Sequence, residues 1–220
     1  MLTTLIQEVH SLVGSKADVE TLEKKDHARL LVISDSHGHL STFEKVLRQY
    51  GKFVDALIFC GDGSGDLAHI LEESRSDAFL MNCLPPVIAC VRGNCDASVY
   101  PVNKDFSLQV PNTQFLIVNG IGILVVHGHR EGVDFGLENL GLEMQLSEAK
   151  TAFYGHTHVS REDYLNDYQI VNPGSIGRPR GGQPQCFAIA TVEKTFVDMT
   201  FIRMERADDE KEFHTWQPIY

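Results

Sequence analysis

Asp35 and His37 stand two residues apart at the end of the apolar run Arg29-Leu30-Leu31-Val32-Ile33. Further groups of the same kind follow in order. Asp62 lies in Gly61-Asp62-Gly63, Asn94 in Arg92-Gly93-Asn94-Cys95-Asp96, His127 in His127-Gly128-His129, and His156 and His158 in Gly155-His156-Thr157-His158. Carboxylates, a carboxamide and imidazoles are oxygen and nitrogen donors. That set favours Mn, Fe, Zn or Ni over a cysteine-bound structural zinc. Glycine beside or within each motif permits sharp turns and close backbone approach to a ligand. A single Gly-Asp pair or one histidine at a strand end carries little information. Five such ends in one chain, each closing an apolar run, point to one shared site.

The elements that must position these groups are readable from hydrophobic pattern. Continuous apolarity over a short β-branched run predicts a strand buried on both faces, as in parallel sheets. In open α/β sheets, ligands bind beyond the carboxyl ends of such strands. Strands are predicted at 29–33, 54–60 and 87–91, with helices between them around Phe43-Val46-Leu47 and Leu67-Ile70-Leu71. This alternation predicts an α/β start with parallel pairing. Phe115 to Val126 around Asn119-Gly120 reads as a hairpin. A helix is predicted over 133–149, then short strands at 152–154 and 168–171, and a late antiparallel pair at 186–192 and 195–202. Leu2, Leu5, Ile6, Val9, Leu12 and Val13 fall on one helical stripe, so residues 1–27 are expected to form an amphipathic helix and a connector. Residues 28–205 form the expected domain, and the charged, aperiodic residues 206–220 a loosely held tail.

Bulk properties narrow the function. A chain of 220 residues with 43% hydrophobic and 22% charged residues is an ordinary globular protein. It has neither a bilayer-length apolar run nor the features of a secretory signal. Five scattered cysteines without a C-x-x-C pair suggest reduced thiols and a cytoplasmic chain. A net charge of −11 repels long nucleic acid but does not exclude a small phosphate ester held by metal.

The ordered motifs D-S-H, G-D, G-N-C-D, H-G-H and G-H-T-H, followed by Asn172-Pro173-Gly174-Ser175, resemble the calcineurin-like metallophosphoesterases, and within them the small bacterial YfcE-type phosphodiesterases. The resemblance covers about 29–202. It implies an α/β fold, a four-layer α/β/β/α sandwich of two mixed β-sheets. It implies two divalent cations, manganese foremost, with Fe, Zn or Ni as alternatives. Asp35, His37 and His158 would hold one cation, Asn94, His127 and His156 the other, and Asp62 would bridge them. The implied reaction is hydrolysis of a small phosphate ester, a diester first, by attack of a metal-bridging hydroxide.

Asp62, Asn94, Cys95 and His129 are therefore the candidate catalytic residues, and Arg178 and Arg180 the candidate substrate-binding residues. Many family members carry histidine where this chain has Cys95. The thiol is either a proton donor or a small apolar filler, and His129 is either the substitute imidazole or a packed side chain. His39 carries the same alternative as His129, and Asp96 either orients a ligand or caps the following turn. Arg92 either meets substrate phosphate or is a solvated surface charge, and Asp66 reads as a helix N-cap. A competing reading is a non-catalytic interaction subunit of the same fold, as in retromer, for which seven intact ligand positions would be unnecessary. A nuclease fits poorly, since no basic groove pattern is present. A homo-oligomer, docked through the stripe at 2–13, is a further expectation; a membrane partner is not.

Overall fold

The computed structural model describes residues 2, 5–207 and 210–218. In chain order the elements are α1 (Lys16–Glu23), β1 (Ala28–Ile33), α2 (Leu40–Tyr50), β2 (Ala56–Phe59), α3 (Ser64–Glu73), α4 (Ala78–Cys83), β3 (Val87–Cys90), β4 (Val99–Pro101) and β5 (Ser107–Gln109). The second half contains β6 (Thr113–Val118), β7 (Ile121–Val126), α5 (Glu138–Ser147), β8 (Thr151–Phe153), β9 (Arg161–Leu165), β10 (Tyr168–Asn172), β11 (Cys186–Val192), β12 (Val197–Ala207) and β13 (Glu210–Trp216).

Two mixed sheets result. One has the order β13-β12-β11-β1-β2-β3, the other β6-β7-β8-β10-β9. Each has three parallel strands at its heart, β1-β2-β3 in the first and β7-β8-β10 in the second. Alternation along β1 shows how one strand serves two layers. Leu31 and Ile33 pack with Phe43 of α2, Leu67 and Ile70 of α3 and Leu80 of α4. Leu30 and Val32 face the other way, into a core shared with Leu116, Ile123, Val125, Phe153 and Val171 of the second sheet. The outer face of that sheet carries Leu124, Val126 and Ile170 against Leu140 and Met144 of α5. The four layers are therefore helices, sheet, sheet and helix, the fold class that the family resemblance implies.

Two terminal expectations are corrected. Residues 1, 3 and 4 of the expected stripe segment lie outside the described residues, and residues 5–13 do not form an amphipathic helix. They lie as irregular chain with bridges Gln7–Gly14, Val9–Leu12 and Val13–Ile88. Val13 and Ile88 exchange backbone hydrogen bonds of 2.9 and 2.8 Å, so the segment lies along the outer edge of β3 and satisfies polar groups an edge strand would expose. The apolar residues read as a helical stripe are spent here, with Leu2, Leu12 and Val13 buried in the chain's own core. The short helix comes later, at α1, where Ser15 and Asp18 form a capping box. At the other end the expected tail is not simply loose, because β13 pairs antiparallel with β12; residues 208, 209, 219 and 220 lie outside the described residues. The helix predicted over 133–149 is limited to α5, and the loop before it carries left-handed glycines at 132 and 136. The five cysteines are free. Burial pushes Cys90 up to about 12 and Cys186 up to about 11, which leaves both inert. Among the described residues no helix is long and apolar enough to cross a membrane.

Candidate metal centre

The parallel strands of both sheets end at one rim. There the loops after β1, β2, β3, β7 and β8 deliver Asp35 and His37, Asp62, Asn94, His127, and His156 and His158. Backbone hydrogen bonds stitch these loops together: Asp35 N–H to Gly61 O at 3.0 Å, His37 N–H to Asp62 O at 3.0 Å, and Gly155 N–H to His127 O at 3.0 Å. Asp35, His37, Asp62, His156 and His158 all adopt positive φ, between 44° and 68°. Aspartate, asparagine and histidine tolerate this region better than most residues, and such backbone clusters at functional sites. Close approach does the rest. A Cβ on Gly93 would collide with the Asp62 carboxylate, so glycine is required there.

Two clusters of donor atoms meet at Asp62. In the first, His158 Nε2 lies 3.2 Å from Asp35 Oδ1, and His37 Nε2 lies 3.1 Å from His158 Nε2. In the second, Asn94 Oδ1 is 3.2 Å from His127 Nε2 and 3.0 Å from His156 Nδ1. Asp62 Oδ2 faces both, 3.6 Å from His37 Nε2 and 3.5 Å from His127 Nε2. Its other oxygen accepts from the Cys95 backbone N–H at 2.8 Å.

The electrostatics of this arrangement suit a cation. Asp35 is fully buried, and neither of its carboxylate oxygens accepts a hydrogen bond. Buried, unpartnered polar atoms are costly and call for an explanation. His158 Nδ1 donates to Arg178 O at 2.6 Å, and His127 Nδ1 donates to Cys60 O at 2.7 Å. A carbonyl can only accept, so Nδ1 carries a proton and each ring turns its Nε2 toward a carboxylate. Lone pairs from Asp35, His37 and His158 lie within 4.8 Å of one another, as do those of Asp35, Asp62 and His127. Burial opposes the charge on His127 and His158, yet Asp62 and Asp35 respectively hold both imidazoles above their ordinary value. Burial likewise opposes ionisation of Asp62, but the His127 contact and the Cys95 amide keep it well below the usual carboxylate range.

The surrounding shell contains residues that the sequence did not reveal. Asp134 Oδ2 accepts from His156 Nε2 at 2.7 Å, which leaves His156 Nδ1 facing the site. Asp96 accepts from the backbone N–H groups of Asp62 (2.8 Å), Gly63 (3.0 Å), Ser64 (2.9 Å) and Gly93 (3.0 Å), tying two ligand loops to the start of α3. Asp66 is not the N-cap of α3; Gly63 holds that position without a side-chain cap. Instead Asp66 Oδ2 accepts from Ser36 Oγ at 2.6 Å and Gly38 N–H at 2.9 Å, bracing the His37 loop. Asn172 and Ser175 act similarly. Asn172 Nδ2 donates to Gly155 O at 2.7 Å and Ser175 Oγ to Asp35 O at 2.8 Å.

A cleft of about 470 Å³ opens over the site, lined by His37, Asp62, Asn94, Cys95, His156 and His158 with Arg178, Pro179 and Arg180. Cys95 is exposed, and burial together with Asp62 raises its thiol, so it carries its proton. His129 does not line this cleft; its ring centroid lies 5.3 Å from that of His127 and 6.1 Å from that of His156. Arg92 donates through Nε to Asp96 O at 2.9 Å, and His39 Nδ1 contacts Ser36 O at 2.9 Å, so both serve local structure.

The chain resembles known proteins in sequence and in fold. It is 29% identical over 172 residues to the probable metallophosphoesterase YsnB of Bacillus subtilis, covering 78% of this chain and 89% of that protein. It is 30% identical over 166 residues to phosphodiesterase YfcE of Escherichia coli K12, covering 73% and 86% respectively. A predicted phosphoesterase from Streptococcus pneumoniae TIGR4 superposes with a TM-score of 0.62 at 26% identity, covering 87% of this chain and 99% of that one. Vacuolar protein sorting 29 from Cryptosporidium parvum has the same fold, with a TM-score of 0.64 at 15% identity over 87% of this chain and 98% of its own. Residues 29–195 match the calcineurin-like phosphoesterase superfamily domain, and the chain belongs to that superfamily.

Proposed function

We propose that the chain is a dinuclear-metal phosphodiesterase acting on small phosphate esters. The observation that carries this reading is the single free oxygen of Asp62, 3.6 Å from His37 Nε2 and 3.5 Å from His127 Nε2, a bridging position between two donor clusters. Asp35, His37 and His158 would hold one cation and Asn94, His127 and His156 the second, with Asp62 shared. The oxygen and nitrogen donor set suits Mn²⁺, and Fe, Zn or Ni would also fit. When bound, such a pair lowers the pKa of a shared water and clamps the phosphoryl oxygens.

The chain's own residues do the rest. Asn94, a neutral ligand, limits the negative charge of the cage and so leaves it able to accept an anionic ester. Cys95 offers a thiol proton at the mouth of the cleft, where the departing oxygen would emerge. A thiol is a weaker acid than an imidazolium, so esters with good leaving groups are favoured. His129, its ring beside those of His127 and His156, would serve as a packed side chain. Arg178 and Arg180 supply positive charge beside the donors. The cleft is of the size that small ligands occupy.

The test is Mn²⁺-dependent hydrolysis of bis(4-nitrophenyl) phosphate. Activity is expected with added metal, and its loss is expected in both Asp62→Asn and His156→Ala. A well-folded, metal-loaded protein inert toward diesters and monoesters alike would favour the interaction-subunit reading.

A further inference from the structure

The proposed centre sits between two clefts, and the difference between them indicates what kind of ester would fit. The first holds Arg178, Pro179 and Arg180; the second, of about 290 Å³, holds Gly38, Gly63, Gly65 and Tyr100. His37, Asp62 and Cys95 line both. A group bound at Asp62 would therefore have open space on either side. A phosphodiester has two arms to place there, and a monoester has one.

The two sides offer opposite chemistry. Among the described residues neither Arg178 nor Arg180 directs its guanidinium into an ion pair or side-chain hydrogen bond. That is notable in a chain with 19 basic against 30 acidic residues. On the other side the acids are already engaged. Asp96 is buried and holds backbone amides, while Asp66 holds Ser36 and Gly38. What remains is the ring of Tyr100, anchored by its hydroxyl to the Ala97 N–H at 2.8 Å and lying against Gly65, where any Cβ would meet the ring at 3.3 Å. A fixed aromatic ring over a glycine floor suits a flat, uncharged group. Two unpaired guanidiniums suit a carboxylate or a second phosphate.

We propose that the preferred substrate is an asymmetric phosphodiester, with an anionic arm on Arg178 and Arg180 and a planar, uncharged arm on Tyr100. This rests on the phosphodiesterase reading. The test compares phenyl 4-nitrophenyl phosphate with 3-carboxyphenyl 4-nitrophenyl phosphate, which share a leaving group and differ by one carboxylate. With Mn²⁺, the wild type is expected to favour the carboxylate ester by about tenfold in kcat/KM, and Arg178→Gln/Arg180→Gln to lose that preference. Tyr100→Leu is expected to lower kcat/KM for both esters by a similar factor, leaving the preference in place. Equal turnover of both esters by the wild type would overturn the arm assignment while leaving the phosphodiesterase reading standing. So would an equal loss on both in the arginine variant, which would put the guanidiniums on the scissile phosphate. No turnover of either ester would remove the underlying reading instead.

Discussion

The layer between the sheets and the floor of the rim at Asp35 are both buried, but they are built on opposite terms. Between the sheets, Leu30, Val32, Ile58, Phe153 and Val171 bury apolar surface with no polar atom to satisfy. At the rim, Asp35 is equally buried, yet its carboxylate lacks hydrogen bonds and faces the His158 imidazole at 3.2 Å. Five residues there hold left-handed backbone. The interior supplies the stability that the rim spends. A site that crowds carboxylates and imidazoles on left-handed backbone must be held by something other than its own contacts.

That contrast is open to attack. The largest effect is expected at the rim, where Asp35→Asn should cut activity on the order of 10³-fold, because it would weaken the hold on a cation whose stabilisation of transition-state charge is worth several kcal/mol. The same variant, stripped of metal at pH 8, should melt no lower than wild type, because it removes an unpartnered charge. Calorimetry showing a clear drop would mean that Asp35 is stabilising and the contrast false. In the interior the signs reverse. Phe153→Ala should cost about 3–5 kcal/mol of stability in urea titration, while the folded fraction keeps its activity.

Metal should relieve the rim selectively. At 100 times its Kd, Mn²⁺ should add about 2.7 kcal/mol, or roughly 5–10 °C in Tm, to the wild type and little to Asp62→Asn. Affinity should weaken as pH falls. His127 and His158 are raised by Asp62 and Asp35, so protons compete for Nε2 at a higher pH than they would for an ordinary imidazole. Asp134→Ala should lower metal affinity about 10–100-fold, read by competition with a chelating dye, without moving the Tm of the metal-free protein. The smallest effect concerns Cys95. Cys95→Ala should leave the rate on 4-nitrophenyl esters within about tenfold and steepen its dependence on leaving-group pKa; an unchanged slope would show that the thiol donates no proton.

Much of the rim is legible in the sequence because each ligand motif ends an apolar run, and parallel strands send such ends to one side. Asp35, Asp62, His127 and His158 needed only that logic. Asp134 did not follow from it. It lies in an irregular loop, 22 residues from the ring it supports, and no periodicity marks it. Asp66 illustrates a subtler failure, since an acid in the first turn of a helix reads as a cap when its actual partners are Ser36 and Gly38 of another loop. At the termini the pattern itself was ambiguous. Leu2, Leu12 and Val13 fit a helical stripe, but their burial is achieved by an irregular strap, and β13 forms because β12 offers it a partner that local sequence cannot show.

The strap at Val13 has a practical consequence for anyone shortening this protein. Trimming the chain to the segment it shares with its superfamily, 29–195, would strip the cover from the outer flank of β3 and remove both β12 and β13. Both borders of the larger sheet would then present open rows of amides and carbonyls to neighbouring molecules. A minimal domain cut by homology would precipitate for reasons unrelated to its chemistry, whereas one that keeps residues 2–14 and 196–216 retains both seals.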